Sequence, residues 1–400
     1  MTESPEFRAR EAGRRAFGPS WRPVTLVTAP GRLELLGNHV DYNGGLVLAG
    51  AVDQHIAMLV DREGESGTIT LMPADTANAP VTIDVASCRD WTKTQGATGP
   101  AEYARGVVAA LLAGNYEVNG GLRVAIAGNV PLGFGMSSSA ALCVGYVLAF
   151  TDADLEPVEI VTLARQAEHR AGSPVGAMDQ STSVAGGIIR FDGRDTSFEA
   201  MQPDLGDHVF VVADSGVSHA LGTSSYPTRV KESQAALDAI QKLTGSGPVS
   251  LGELAPTAWS EVRDAFLREM GDILTKRVDH VVSEVERVRQ GDRAARAGDW
   301  ATFGQLMTAS GASSSVDYEI SHPLVDSLVA EILAVDGVLG ARMMGGGEGG
   351  PALALVQIDT VPRLREVLAA GFFSAHPSHL KGERLLVASF GAGATRTAID

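Results

Sequence analysis

Along most of the chain, apolar residues recur at two-residue or at three-to-four-residue spacing, so strands and helices alternate from an early point. Residues 5 to 18 mix charged and small residues with Phe7, Ala12 and Phe17, which predicts a surface helix. Val24 to Thr28 reads as a strand, Pro30 and Gly31 as a break, and Arg32 to Leu36 as a second short strand. In it Leu33 and Leu35 share one face and Arg32 and Glu34 the other. Further strands are expected over Val47 to Val60, near Ile69 and over Val81 to Val85, followed by a helix over Tyr103 to Leu112. An apolar strand from Leu122 to Ala127 then enters a loop holding Pro131, Gly133 and Gly135, three serines, and a run that is apolar nearly all round at helical length. A helix with no polar face is a buried one.

A second helix is expected over Pro157 to Arg170, with Pro157 suited to its first turn. Val161, Ala164 and Glu168 share one face of it, so a carboxylate ends an apolar stripe and needs a partner. Ile188 to Phe191 and His208 to Asp214 read as strands, and residues 228 to 336 are dominated by helical periodicity. The chain closes with a strand (Val338 to Met344), the glycine turn 345 to 350, a strand (Ala352 to Ile358), a helix (Val361 to Ala370) and a strand (Leu385 to Phe390). That order predicts an α+β protein of two domains: residues 1–205, a mixed sheet with helices, and residues 206–400, of split βαβ character.

Composition narrows the function. At 400 residues with 44% hydrophobic and 20% charged positions, the chain has the makeup of an ordinary globular protein with a large core. A formal net charge of −16 argues against nucleic acid or an anionic membrane as partner, so an anionic ligand has to be held by a local site. Cys88 and Cys143 offer neither a disulfide framework nor a cysteine metal site. No stretch has the length of a signal peptide's apolar core or of a membrane span, and a cytoplasmic protein is expected, monomeric or weakly homo-oligomeric.

The loop from Pro131 to Ser139 is the first candidate site. Unpaired amides and the positive end of the dipole make a helix N-terminus an anion site, and Gly133, Gly135, Ser137, Ser138 and Ser139 would cradle a phosphate there. No GxxxxGK[ST] run is present, so the loop is not of Walker type. Residues 345 to 350, GGGEGG, match GxGxxG in form, but a strand follows in place of the helix a dinucleotide site requires. A tight hairpin or a close backbone approach accounts for those glycines better.

Three stretches in order, APGRLELLGNHVDYNGG (29 to 45), PLGFGMSSSAA (131 to 141) and RMMGGGEGG (342 to 350), resemble the signature motifs of the GHMP small-molecule kinases, and within them the galactokinase family. The likeness continues in GAMDQ (176 to 180), DSGVSHALGTSSYPTRVKE (214 to 232), HVVSEVER (280 to 287) and DYEISHPLVDSLV (317 to 329). It implies a two-domain GHMP kinase fold with a ferredoxin-like C-terminal half, and ATP-dependent phosphorylation of the anomeric C1 hydroxyl of a monosaccharide such as galactose. By resemblance, Ser139 and Glu168 contact Mg2+, Asp179 accepts or orients the proton of the attacking hydroxyl, and Arg32 sits against Asp179 and the moving phosphoryl. A guanidinium in that place stabilises the negative charge that develops in transfer. The resemblance also assigns Asp41 and the Gly176 amide to the ring hydroxyls, and Asn38, His39 and Tyr226 to the C6 hydroxyl. Tyr103 is the candidate wall of the nucleotide pocket.

Taken singly, each residue has a plainer reading. Arg32 and Glu34 can form an exposed ion pair, Asp179 can cap a helix or turn, and Glu168 can pair with Arg165 or Arg170. His39 can be a loop donor and Tyr226 a packed aromatic. The sequence also departs from the family pattern: Asn38 stands where Glu is usual, Glu34 where Asn is usual, Glu348 where an apolar residue is usual, and one residue fewer separates Glu168 from Asp179. A neutral Asn38 leaves other sugars open, among them arabinose, N-acetylgalactosamine and uronic acids, and a sugar-sensing relative without turnover is a further alternative. Arg32 and Asp179 are expected in a solvated cleft.

Overall fold

The computed structural model describes residues 3–76, 79–93, 99–131, 133–173, 175–217, 225–245, 247–377 and 384–399. Leu132 of the phosphate loop and residues 218–224 of the stretch from 214 to 232 lie outside the described residues.

The predicted break at Pro30 and Gly31 is not one. Strand β1 runs without interruption from Thr25 to Leu36 and absorbs the irregularity as a register shift against β2 (Leu46–Asp61) between Pro30 and Arg32. Gly31 is needed at this bulge because a Cβ there would lie 2.6 Å from the Met136 carbonyl oxygen, which accepts a hydrogen bond from the Arg32 amide. The bulge therefore ties β1 to the end of the phosphate loop.

Around this pair the first sheet has eight strands. β5 (Leu122–Gly128) extends it from β2, β3 (Thr68–Pro73) lies parallel to β5, and β4 (Val81–Asp84) closes that edge. β6 (Ile188–Asp192) pairs with the other end of β2 and carries β7 (Phe198–Met201). β7 gave no readable signal, with four residues of which two are charged or exposed. Helix α1 (Pro5–Phe17) covers part of this sheet. It is less superficial than its charge suggests, because Ala9, Ala12 and Gly13 are buried and Gly13 meets the Trp21 ring.

Helices α2 (Pro100–Ala113), α3 (Ser138–Phe150), α4 (Pro157–Arg170) and α5 (Met178–Ala185) stack on one another and on β1 and β2. α3 is buried on nearly every face, as its composition requires. α5 is short and starts at the residue before Asp179, where the sequence offered only polar residues.

The second sheet has four antiparallel strands in the order β11 (Leu385–Ala388), β8 (His208–Asp214), β10 (Pro351–Gln357), β9 (Val338–Met343). With the helices that follow β8 and with α11 (Val361–Ala370), that order is the split βαβ arrangement expected. Between β8 and β9 run α6 (Tyr226–Thr244), α7 (Pro256–Met270), α8 (Asp272–Ala297), α9 (Trp300–Val316) and α10 (Pro323–Leu333). A four-residue helix, α12 (Phe372–Ala375), follows α11.

The two sheets share a core. Leu33, Leu35 and Leu36 of β1 belong to one buried cluster with Phe210, Val288, Phe303, Leu353 and Leu355 from the C-terminal half. The final strand, β12 (Thr395–Ala398), returns to pair antiparallel with β1 from Thr25 to Thr28. Residues 395–398 are therefore built into the sheet of the first half. β12 is exposed and reads Thr-Arg-Thr-Ala, so no apolar alternation announced it.

Candidate active site

Arg32 and Asp179 meet. Arg32 Nε donates to Asp179 Oδ1 at 2.8 Å and Nη2 to Oδ2 at 2.9 Å, a two-pronged pair between residues far apart in the chain. Arg32 Nη1 donates to the Gly135 carbonyl, and the Ser137 hydroxyl donates to Asp179 Oδ2. The carboxylate, the guanidinium and the glycine loop are thus one assembly. The side chains are 7% and 21% exposed, so the pair is more enclosed than the solvated cleft expected, and Arg32 is buried. Burial works against the Arg32 charge, yet Asp179 and Glu34 beside it hold its pKa above the ordinary arginine value. The exposed Arg32–Glu34 pair does not form: Glu34 pairs with the fully buried Arg342 instead.

The loop's backbone is bent for its task. Gly133, Gly135 and Ser137 have φ of 85°, 57° and 52°, so alternate residues lie in the left-handed region, a pattern that turns successive amides into a common concavity. Ser137 makes no side-chain cap to α3 and spends its hydroxyl on Asp179. The first amides of α3 remain for an anion. Pro131 opens the loop, with its carbonyl accepting from the Phe134 amide at 3.4 Å.

Beside the loop lies a cavity of about 740 Å³ whose lining includes Pro73, Thr76, Tyr103, Arg105, Ser138 and Ser139. Tyr103 is thus a wall of the pocket. Its phenol is pushed up to about 12 by burial and by the nearby Glu168 charge, against hydrogen bonds with Ser173 and Ser139. The aliphatic wall from β3 and β5 had no signal in the sequence, because a residue lining a pocket and one filling a core read alike.

Glu168 is buried on α4 and takes neither Arg165 nor Arg170. Gln180 donates to Glu168 Oε2, and burial, opposed by a Ser139 hydrogen bond, pushes the carboxyl up to about 7. Gln180, one residue past Asp179, is a partner that sequence reasoning missed. Among the described residues no group of three His, Cys, Asp or Glu side chains could hold a metal. A single carboxylate and a hydroxyl do suit Mg2+, which keeps waters and takes phosphate oxygens from its substrate.

The other expected sugar contacts divide. Asp41 and Gly176 are in contact: a Cβ on Gly176 would fall 1.7 Å from Asp41 Oδ2, so only glycine fits. Burial, reinforced by the Asp179 charge, pushes Asp41 up to about 7. Tyr226 stands at the start of α6, its ring 4.9 Å from His39 and 5.4 Å from Tyr42. His39 has φ 60° and both ring nitrogens occupied, Nδ1 with Tyr42 Oη at 2.9 Å and Nε2 with the Gly346 carbonyl at 3.2 Å. Burial holds it neutral, with a pKa down at about 3.

Asn38 is not brought to the cleft. It is fully buried, and its amide nitrogen donates to Glu34 Oε1 at 2.9 Å and to the Gly345 carbonyl at 3.1 Å, while its oxygen accepts from Ser314 at 2.9 Å. Both donors of the side-chain amide, and its oxygen once, are spent on the protein. The same contacts explain GGGEGG: the turn between β9 and β10 offers the Gly345 and Gly346 carbonyls to the Asn38–His39 loop. From the other side Glu284 of α8 accepts from the Gly37 and Asn38 amides at 3.0 and 3.2 Å.

Comparison with known proteins bears on this arrangement. The galactokinase galactose-binding signature matches residues 14–62, the GHMP kinase N-terminal domain residues 102–187 and the GHMP kinase C-terminal domain residues 293–372. Galactokinase of Roseiflexus sp. is 35% identical over 367 residues, 88% of this chain and 88% of its own. That of Homo sapiens is 34% identical over 365 residues, again 88% of each. The crystal structure of Lactococcus lactis galactokinase complexed with galactose superposes with a TM-score of 0.86 at 30% identity, covering 96% of this chain and 98% of that one. The Methanococcus jannaschii mevalonate kinase, at 18% identity and a TM-score of 0.60, shares the fold.

Proposed function

Because this chain belongs to the galactokinase family of the GHMP kinases, we propose that it transfers the γ-phosphoryl group of ATP to the anomeric C1 hydroxyl of galactose. The observation that carries this reading is the two-pronged Arg32–Asp179 pair fastened to the glycine loop through Gly135 and Ser137. Phosphoryl transfer asks for positioning and for charge neutralisation more than for covalent chemistry.

ATP lies with its base in the cavity walled by Tyr103 and its phosphates over the amides of residues 133–139. The sugar lies between Asp41, the Gly176 backbone and Tyr226. Asp179 receives or orients the proton of the C1 hydroxyl as its oxygen attacks the γ-phosphorus, and the ADP oxygen leaves in line. Arg32, already bonded to Asp179, faces the equatorial oxygens as their charge grows. Ser139 and Glu168 would hold Mg2+ with ATP, and the ion would neutralise the β- and γ-phosphate oxygens. A carboxylate accepting two neighbouring ring hydroxyls discriminates epimers, because the wrong isomer leaves its charge unpaired.

The test is ADP release with ATP, Mg2+ and a panel of sugars: galactose, glucose, arabinose, N-acetylgalactosamine and galacturonate. Turnover is expected with galactose in preference to the others. A better substrate elsewhere in the panel reassigns the sugar, and galactose binding without ADP release makes the protein a sensor.

A further inference from the structure

Glu34 sits two residues beyond Arg32 on β1, so both side chains leave the same face of the strand, with their Cα atoms roughly 7 Å apart. That is about the width of a pyranose ring. One oxygen of its carboxylate is crowded and the other is not. Oε1 accepts from Asn38 Nδ2 at 2.9 Å and from Arg342 Nη2 at 2.6 Å, whereas Oε2 has no hydrogen bond among the described residues.

The geometry of Arg342 sharpens the point. A buried arginine beside a carboxylate ordinarily uses its fork on both oxygens. Here Arg342 Nε is buried without a partner, Nη1 donates to the Glu34 and Leu35 main-chain carbonyls at 3.4 and 3.2 Å, and only Nη2 reaches the Glu34 carboxylate. Arg342 thus takes the carboxylate through Oε1 alone, and Oε2 is left without its counter-ion. Asn38 fixes that arrangement, since its own amide is anchored by Gly345 and Ser314. The groups within electrostatic reach of Glu34 include Arg32, Asp41 and Tyr226, the walls of the sugar site.

We propose that Glu34 is a specificity-determining residue of the sugar site: Oε2 accepts a hydrogen bond from a ring hydroxyl remote from the transferring oxygen, while Asn38 and Arg342 position the carboxylate. This rests on the sugar-kinase reading above. Asn38 then acts on the sugar only through Glu34, and the site keeps the negative charge that a neutral residue 38 would remove.

The test compares wild type with Glu34→Gln on galactose and on its 2-, 3-, 4- and 6-deoxy forms, measuring kcat and KM for each. Losing a hydrogen bond to a charged acceptor should lower kcat/KM for galactose about 10- to 100-fold, mostly through KM. For one deoxy sugar, the one lacking the hydroxyl that Glu34 accepts from, the two enzymes should agree within roughly threefold. A uniform loss over all five sugars would mean that Glu34 only supports the fold, and would overturn the proposal. Glu34→Asp keeps the charge beside Arg342 while withdrawing the carboxylate by one methylene, and should show the same single exception; should Glu34→Gln not fold, this variant decides by the same criterion. A wild type that phosphorylates none of these sugars instead refutes the kinase reading, and this assignment with it.

Discussion

At the scale of single residues the account rests on Asp179. Replacing it by Asn keeps the shape and the Arg32 neighbour but removes the proton acceptor, so kcat should fall about 10²- to 10⁴-fold with a much smaller change in thermal stability. Turnover near wild type would remove Asp179 from the chemistry. Arg32→Ala differs, because Arg32 is buried against Asp179: it should lower turnover and also cost roughly 3 kcal/mol of stability by stranding the carboxylate, readable as a shift in urea midpoint. Glu168 adds a pH dependence. With its carboxyl near pH 7 in the free protein, it is protonated below and ionised above, and only the ionised form serves a cation. The KM for MgATP should therefore fall as pH rises from 6 to 8. A flat profile in wild type, or the same slope in Glu168→Gln, would detach Glu168 from the metal.

At the scale of elements, α8 is the one that holds the Asn38–His39 loop. Glu284 takes the Gly37 and Asn38 amides, the Ser310 hydroxyl and Arg287; against burial, the charges of Arg287, His280 and Arg342 and the Ser310 hydrogen bond hold its pKa down at about 2. Its folded pKa lies below the ordinary carboxylate value of 4.5, so its contribution is complete above pH 4.5 and disappears as pH falls toward 2. Glu284→Gln should cost about 2 kcal/mol at pH 7 and flatten stability against pH in that acid range. An unchanged urea midpoint would show that the helix does not anchor the loop. The sequence announced α8 as a helix by its periodicity, and the resemblance singled out HVVSEVER, but neither told what Glu284 bonds. A carboxylate buried by a partner from another element reads like any helical glutamate. The same blindness accounts for Asn38. Its neighbours Glu34, Ser314 and Gly345 come from β1, α9 and the turn before β10, and no local pattern joins them.

At the scale of the whole molecule, most strands and helices were legible because each half has apolar faces of regular period. The exceptions are instructive. The proline and glycine at 30 and 31 read as a stop, yet the strand continues because the bulge gains a bond to Met136. β12 carries no apolar face; it covers the otherwise open edge of β1, and Arg396 in it donates to the Thr151 carbonyl at 2.6 Å. Removing residues 395–400 should therefore lower the thermal midpoint and favour aggregation, with the Thr25 to Thr28 amides losing protection in hydrogen exchange. Unchanged protection there would mean that the returning strand is dispensable. The candidate site drew its legibility from the three motifs. Those motifs come from β1, the loop before α3 and the turn after β9, and the shared core of the two sheets makes them converge.

The most direct test of this convergence is to identify the product. Wild-type protein incubated with ATP, Mg2+ and galactose, followed by phosphorus NMR, should give one ADP per new phosphate ester, with the phosphorus coupled to the anomeric proton, and Asp179→Asn should form that ester at least about 100-fold more slowly. An ester at any other carbon, or ADP release that galactose does not accelerate, would contradict the assignment of this cleft to C1 phosphorylation.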